Sequence, residues 1–355
     1  MRGHAAAAAL ALLFAAAAPC AGAERNSFAV GTAVAAEGRE ATGTIDVPAG
    51  VDPALHIPVA VFHGAWPGPV LALVAGSHGT EYASILALEK LIGRIDPTEL
   101  SGTLIVVPLV NIPSFEGKIA HVNPVDGKSM NRFYPGKADG TQTERAAFAI
   151  TREVVEKCDY LIDLHGGDLD ENLRPYSYWA RTGNEKQDST SRGMVLAFGL
   201  DHIILATDRP RDPAASRYLE TTAATRGKPS ITVEAGRAGR ADSEDIEALV
   251  NGCLSVMRYL KILPGTPSPV ERPVWIEKVV TLSSDHSGIF YPRVDRGDYI
   301  ESGGKIGLLT DYLGKTIAEP RSTATGIILY VAALPSMKKG DTIANIGVVA
   351  SSAPR

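Results

Sequence analysis

Three short stretches, far apart in the chain, each close an apolar run with side chains that a divalent metal can use. They are Gly76-Ser77-His78-Gly79-Thr80-Glu81, Asp163-Leu164-His165-Gly166-Gly167 and Thr232-Val233-Glu234-Ala235-Gly236. Between them they offer two imidazoles, one carboxylate ligand and one spare carboxylate. A catalytic zinc site needs three protein ligands, an open position for water and a nearby base. His78, Glu81 and His165 are therefore the expected ligands of one Zn2+ per chain. Glu234 is the expected base, taking a proton from water and delivering it to a leaving nitrogen. The chemistry to expect is hydrolysis of an amide or ester bond.

Each residue also has a plainer reading. A histidine in a glycine-rich loop is often a hydrogen-bonded surface residue, and a glutamate at a helix start often only complements the helix dipole. Glu234 ends a strand of Ile, Thr and Val, where a carboxylate costs energy without a partner; a salt bridge to Arg237 or Arg240 would also account for it. Asp163 precedes His165 by two residues, so in a strand it shares a face with His165 and can orient the imidazole. Asn131 and Arg132, within Asp126-Gly127-Lys128-Ser129-Met130-Asn131-Arg132-Phe133-Tyr134-Pro135-Gly136, are substrate-binding candidates because a guanidinium fork pairs with a carboxylate. The same loop reads equally well as a solvated turn. Ser77 lacks the G-x-S-x-G elbow of a serine nucleophile.

These residues need elements to carry them. Short Val/Ile/Leu-rich runs at His56 to Phe62, Val70 to Val74, Leu104 to Val110, Tyr160 to Leu164, His202 to Ala206 and Ile231 to Val233 predict strands buried on both faces. Between them Ile85, Leu88, Ile92 and Ile95 share a helical face, as do Ala147, Ile150, Val154 and Cys158. A further helix is predicted over Asp242 to Leu260. The alternation implies an α/β domain over 24–263 with a mixed central sheet flanked by helices. Gly76 and Gly79 permit a tight strand-to-helix corner at which His78 and Glu81 converge.

Residues 264–273, rich in proline and glycine, read as a linker. After it, over 274–355, strands dominate, and Gly288-Ile289-Phe290-Tyr291 and Arg296-Gly297-Asp298-Tyr299-Ile300 recur weakly as Gly326-Ile327-Ile328-Leu329 and Lys339-Gly340-Asp341-Thr342-Ile343. Two similar halves suggest an all-β barrel-sandwich. No lysine lies in Glu319 to Thr325, where a carrier domain would need one, so a structural role is expected.

The chain has 355 residues and is 45% hydrophobic, enough for two domains. Residues 1–23, with Arg2, an Ala/Leu run to Pro19 and the small residues Ala21-Gly22-Ala23, read as a signal peptide, which implies an exported, periplasmic or secreted protein with no membrane attachment after cleavage. The run is short for a membrane span of about 20 residues, and Pro19 fits poorly before a lipidated Cys20. Net charge is −5 and falls further when Arg2 is removed, which argues against nucleic acid as a partner. Cys158 and Cys253 could pair or remain buried thiols.

Taken in order, G-S-H-G-T-E, D-G-x-x-x-N-R-x-x-P-G, D-L-H-G-G and T-V-E-A-G resemble the succinylglutamate desuccinylase/aspartoacylase family, relatives of zinc carboxypeptidases of the carboxypeptidase A type. The likeness runs from Leu71 to Gly236 and on past Val274. It implies zinc on His78, Glu81 and His165, Glu234 as the catalytic glutamate, and Asn131 with Arg132 on the substrate carboxylate or scissile carbonyl. It also implies a small N-acyl amino acid as substrate, with a C-terminal β domain closing over the site. The runner-up is an exported carboxypeptidase acting on short peptides such as those of the cell wall. Two positions depart from the pattern: His121 stands where many relatives have a second arginine, and Met130 replaces a common leucine.

Overall fold

The strands form where β-branched and aliphatic residues can be buried on two sides. In the computed structural model, which describes residues 26–207 and 209–354, Trp66–Ala75 sends Leu71 and Leu73 to one face and Ala72 and Val74 to the other, all fully buried. The expected signal peptide lies outside the described residues.

Twelve strands follow one another across a single mixed sheet. From one edge they are Arg39–Val47, Leu55–His63, Ser101–Val107, Trp66–Ala75, Tyr160–His165, Ser230–Glu234, Tyr176–Ala180, His202–Ala206, Val274–Ser283, Thr342–Val349, Gly326–Ala332 and Tyr299–Ile300. Glu171–Leu173 pairs with Gly326–Ala332 off this path. The strand predicted over Leu104 to Val110 stops at Val107, since Pro108 cannot donate to a ladder.

Helices cover both faces, as alternating strands and helices require. Tyr82–Ile92, Glu185–Phe198 and Ser243–Tyr259 share one apolar cluster with Leu71, Leu73, Ile162 and Val233. Gln142–Ile150 and Leu219–Ala224 share another with Val74, Ile105 and Leu161. The face predicted from Ala147 to Cys158 is buried, although the helix widens to a π turn over Thr151–Val155. Its N-terminus carries a capping box, with Glu144 returning to the Thr141 backbone N–H at 3.0 Å.

Between Tyr259 and Val274 there is neither helix nor strand. The strand after that gap joins the same sheet, Val274–Ser283 running parallel to His202–Ala206. A second sheet, Thr316–Ala318, Gly307–Thr310, Gly288–Pro292 and Ser336–Met337, packs its Phe290, Leu309 and Met337 against Ile328, Ile343 and Ile346 of the first. Cys158 and Cys253 are buried free thiols, one in each helical layer, so the pairing left open by the sequence does not occur.

No helix among the described residues is long and apolar enough to cross a membrane.

Candidate active site

Three neighbouring parallel strands, Trp66–Ala75, Tyr160–His165 and Ser230–Glu234, point their carboxyl ends the same way. Such ends line the ligand crevice of α/β sheets. The first runs into the turn that bears His78 and Glu81, the second ends on His165 and the third on Glu234. Gly76 turns the chain with φ +70°, and a Cβ on Gly79 would collide with the backbone of Phe115 and come within 2.7 Å of the Asn111 carbonyl oxygen. Both glycines are therefore dictated by the backbone.

The corner aims both imidazoles at one carboxylate. His78 Nδ1 lies 2.6 Å from Glu81 Oε1 and His165 Nδ1 lies 2.8 Å from Glu81 Oε2. Donor atoms of His78, Glu81 and His165 all fall within 4.8 Å of one another. Two nitrogens and one oxygen, from this corner and from the end of Tyr160–His165, form the donor set zinc prefers, so these residues fit the ion expected from sequence. Burial would raise the Glu81 pKa, but the His165 and His78 rings outweigh it and hold it down to about 2. Burial would likewise lower His165, yet the Asp163 and Glu81 carboxylates raise it well above its ordinary value.

Glu234 sits opposite His165 on one neighbouring strand and opposite Tyr176 on the other. The period of two puts Asp163, His165, Thr232, Glu234, Tyr176 and Tyr178 on one sheet face. Burial raises the Glu234 pKa well above its ordinary value; His165 opposes this, and the Glu81 and Glu171 carboxylates reinforce it. The alternative partners suggested by sequence are engaged elsewhere, for Arg237 and Arg240 both pair with Asp242, at 3.0 and 2.9 Å.

These side chains floor a cavity of about 540 Å³ that Asn131 and Arg132 also line. The Asn131-Arg132 loop is therefore not a solvated turn: Asn131 is buried, with its amide 2.7 Å from His165 Nε2. The Arg132 guanidinium lies 4.9 Å from the Tyr218 ring centroid.

Arg209, which sequence reasoning missed, stacks on the same ring at 4.3 Å and lines the same cavity. Its Nε donates to Glu220 at 2.9 Å. Tyr176, Tyr178, Tyr218 and Glu171 were missed as well. Nothing local marks Tyr176 and Tyr178, because the strand Tyr176–Ala180 runs antiparallel beside Ser230–Glu234 and only that pairing brings its tyrosines to Glu234.

His121, the position where a second arginine was absent, does not line this cavity but an adjoining one with Asp170, Glu171 and Asp341. Its Nε2 lies 2.8 Å from Asp170 Oδ1 and its Nδ1 3.2 Å from Asp168 Oδ2. The Asp170 hydrogen bond, against burial and with help from Asp168, raises the imidazole pKa to about 9. The main cavity has Arg209 and Lys278 beside Arg132, with Arg209 stacked on the same tyrosine as Arg132. Burial, followed by the nearby Glu81 charge, raises Glu171 to about 7.

The family profile described as succinylglutamate desuccinylase/aspartoacylase catalytic domain matches residues 67–260. An N-alpha-acetyl-L-2,4-diaminobutyric acid deacetylase from Halomonas elongata is 28% identical over 305 residues, covering 84% of this chain and 87% of that one. The product-bound ectoine utilization protein EutE (DoeB) of Ruegeria pomeroyi superposes with a TM-score of 0.80 at 22% identity, covering 93% of this chain and 98% of that chain. A succinylglutamate desuccinylase from Silicibacter sp. TM1040 gives a TM-score of 0.79 at 24% identity, covering 88% and 95%.

Proposed function

Since the chain belongs to the succinylglutamate desuccinylase/aspartoacylase family, we propose that it is a zinc-dependent amidohydrolase that removes the acyl group from a small N-acyl amino acid. The observation that carries this reading is the convergence of His78 Nδ1 and His165 Nδ1 on the Glu81 carboxylate, on a cavity floor shared with Glu234. The name of the Halomonas relative supports the substrate class.

In this mechanism His78, Glu81 and His165 hold the ion. When bound, zinc supplies Lewis acidity toward the scissile carbonyl and makes a water acidic enough to attack near neutral pH. Glu234 receives the proton of the attacking water and returns it to the departing nitrogen. Burial beside Glu81 and Glu171 favours the protonated form of Glu234, which suits a group that must hold that proton before delivering it. Arg132 and Arg209, braced on Tyr218, receive the substrate carboxylate, and Asn131 fixes the Arg132 loop beneath it.

Two further parts of the reading rest on sequence. Residues 1–23 direct export to the periplasm or medium, and 274–355 form a β domain of barrel-sandwich type, with Glu277, Lys278, Thr281 and Asn345 reaching the cavity wall.

Metal analysis of the mature protein, joined to a screen of Nα-acetyl-2,4-diaminobutyrate, N-acetylaspartate, N-succinylglutamate and unblocked peptides, tests the proposal. One zinc per chain with turnover of an acylated amino acid is expected. Turnover of unblocked peptides alone would make the chain a carboxypeptidase, and equal turnover in metal-stripped protein would overturn the mechanism.

A further inference from the structure

Four linked side chains bury polar atoms near His165: Asp163 and Asn131 lie against its Nε2, and Tyr134 interacts with Asp163 and Ser77. Ser77 is 0% exposed, Asp163 1%, Tyr134 2% and Asn131 6%. Ser77 Oγ, Tyr134 Oη, both Asp163 oxygens and Asn131 Oδ1 have no hydrogen bond of good geometry among the described residues. One or two such atoms are tolerated in a core, but five in linked side chains call for a common explanation.

The cluster is contiguous with the imidazole. Asp163 Oδ1 stands 3.2 Å from His165 Nε2, and the Asn131 amide nitrogen stands 2.7 Å from the same atom. His165 turns Nδ1 toward Glu81, so for Nδ1 to present a lone pair the proton must sit on Nε2. Nε2–H then needs an acceptor. Asp163 is one, and a half-turn of the Asn131 amide brings its oxygen to the same hydrogen, removing one unpartnered atom. The Asp163 carboxylate in turn needs donors, and Tyr134 is the group that can supply one. Burial and the facing Asp163 charge both raise Tyr134 far above its ordinary ionisation, so its hydroxyl keeps its proton, with Ser77 beside it.

Resting on the zinc reading above, we propose that Tyr134 is a positioning residue. With Ser77 it anchors the Asp163 carboxylate, directly or through one buried water, and that carboxylate fixes the tautomer and ring angle of His165. The physical gain is that Nδ1 meets a cation already aimed, instead of spending binding free energy on orienting a free ring. The sequence prepares this pairing, because Tyr134 follows Asn131 by three residues in one loop while Asp163 and Ser77 flank the two ligand-bearing segments.

The test is Zn2+ affinity of the full mature chain, by competition with a chelating dye, for the wild type, Asp163→Asn, Tyr134→Phe and the double variant. Asp163→Asn is expected to weaken Zn2+ binding about 10- to 100-fold and Tyr134→Phe about tenfold. The double variant should lose no more than Asp163→Asn alone, since the hydroxyl acts through the carboxylate. At saturating Zn2+ the KM for the acylated substrate should stay within about twofold, because the arginine end of the cavity is untouched. Circular dichroism of the metal-free variants reads folding separately, and if Tyr134→Phe does not fold, Ser77→Ala replaces it with the same expected direction. Wild-type affinity in Tyr134→Phe overturns the inference, as does a double variant whose losses multiply. A wild-type chain that binds no Zn2+ overturns the proposed function itself and takes this inference with it.

Discussion

Charge at the site is arranged by neighbours more than by residue type. Glu81 and Glu234 are the same side chain in one cavity, yet the two imidazoles lower the pKa of one while burial beside other carboxylates raises that of the other. Pushing two carboxylates apart in this way separates a ligand from an acid/base group. Glu234→Gln should lower kcat on the order of 10²–10⁴-fold with zinc content unchanged, measured by steady-state kinetics and metal analysis on one sample. His121 makes a second residue-level prediction: its ring should titrate at about 9 by NMR. Because this pKa is raised above the ordinary 6.5, the stability His121 contributes is full below that value and is lost as pH rises through about 9. The ligand types and their spacing were readable from sequence. The roles of Arg209, Tyr178 and Tyr218 were not, because an arginine in Arg209-Pro210-Arg211 looks like any solvated charged loop until Tyr218 is packed beneath it.

Elements hold these groups through corners and caps. Gly79 lets the ligand-bearing turn lie against the backbone of Phe115 and Asn111. Gly79→Ala should displace that turn, costing about 1–3 kcal/mol of overpacking, and abolish stoichiometric zinc while circular dichroism stays native. Glu144 illustrates the opposite end of an element. Its hydrogen bonds to Lys128 and to the Thr141 backbone lower its pKa to about 2 from the ordinary 4.5. A lowered pKa means that this stabilisation is complete above about 4.5 and fades as pH falls toward 2. Glu144→Gln should therefore cost about 1 kcal/mol in urea unfolding at pH 7, with the gap from wild type shrinking below pH 4. Most strands and three helices were legible, because buried runs and 3.6-residue spacing are local signals. The strand Tyr176–Ala180 and the helix Glu185–Phe198 were not: one alternates Tyr with Ser and Trp, and the other is polar over its first turns and buries mainly its C-terminal half.

At the scale of the molecule, one sheet runs from the N-terminal strands through the metal-ligand strands and on into the chain beyond residue 273. Val274–Ser283 covers His202–Ala206, and Ile276 and Leu329 share a cluster with Leu173, Tyr176 and Ile204. A chain ended at residue 263 would expose that cluster and leave a sheet edge unpaired. It is expected to aggregate or to melt well below the full protein, as checked by size exclusion and calorimetry. What the sequence determined alone was local: which residues could bind a metal, which runs would bury, and where glycine had to turn the chain. Only the tertiary structure decided that Nδ1 of both histidines faces the same carboxylate, that Arg209 joins Arg132 on Tyr218 in the same cavity, and that the C-terminal strands extend the central sheet. Those facts depend on strand order and direction, which arise from contacts between residues well separated in the chain, Glu81 and His165 being 84 positions apart, and leave no periodic mark on either segment.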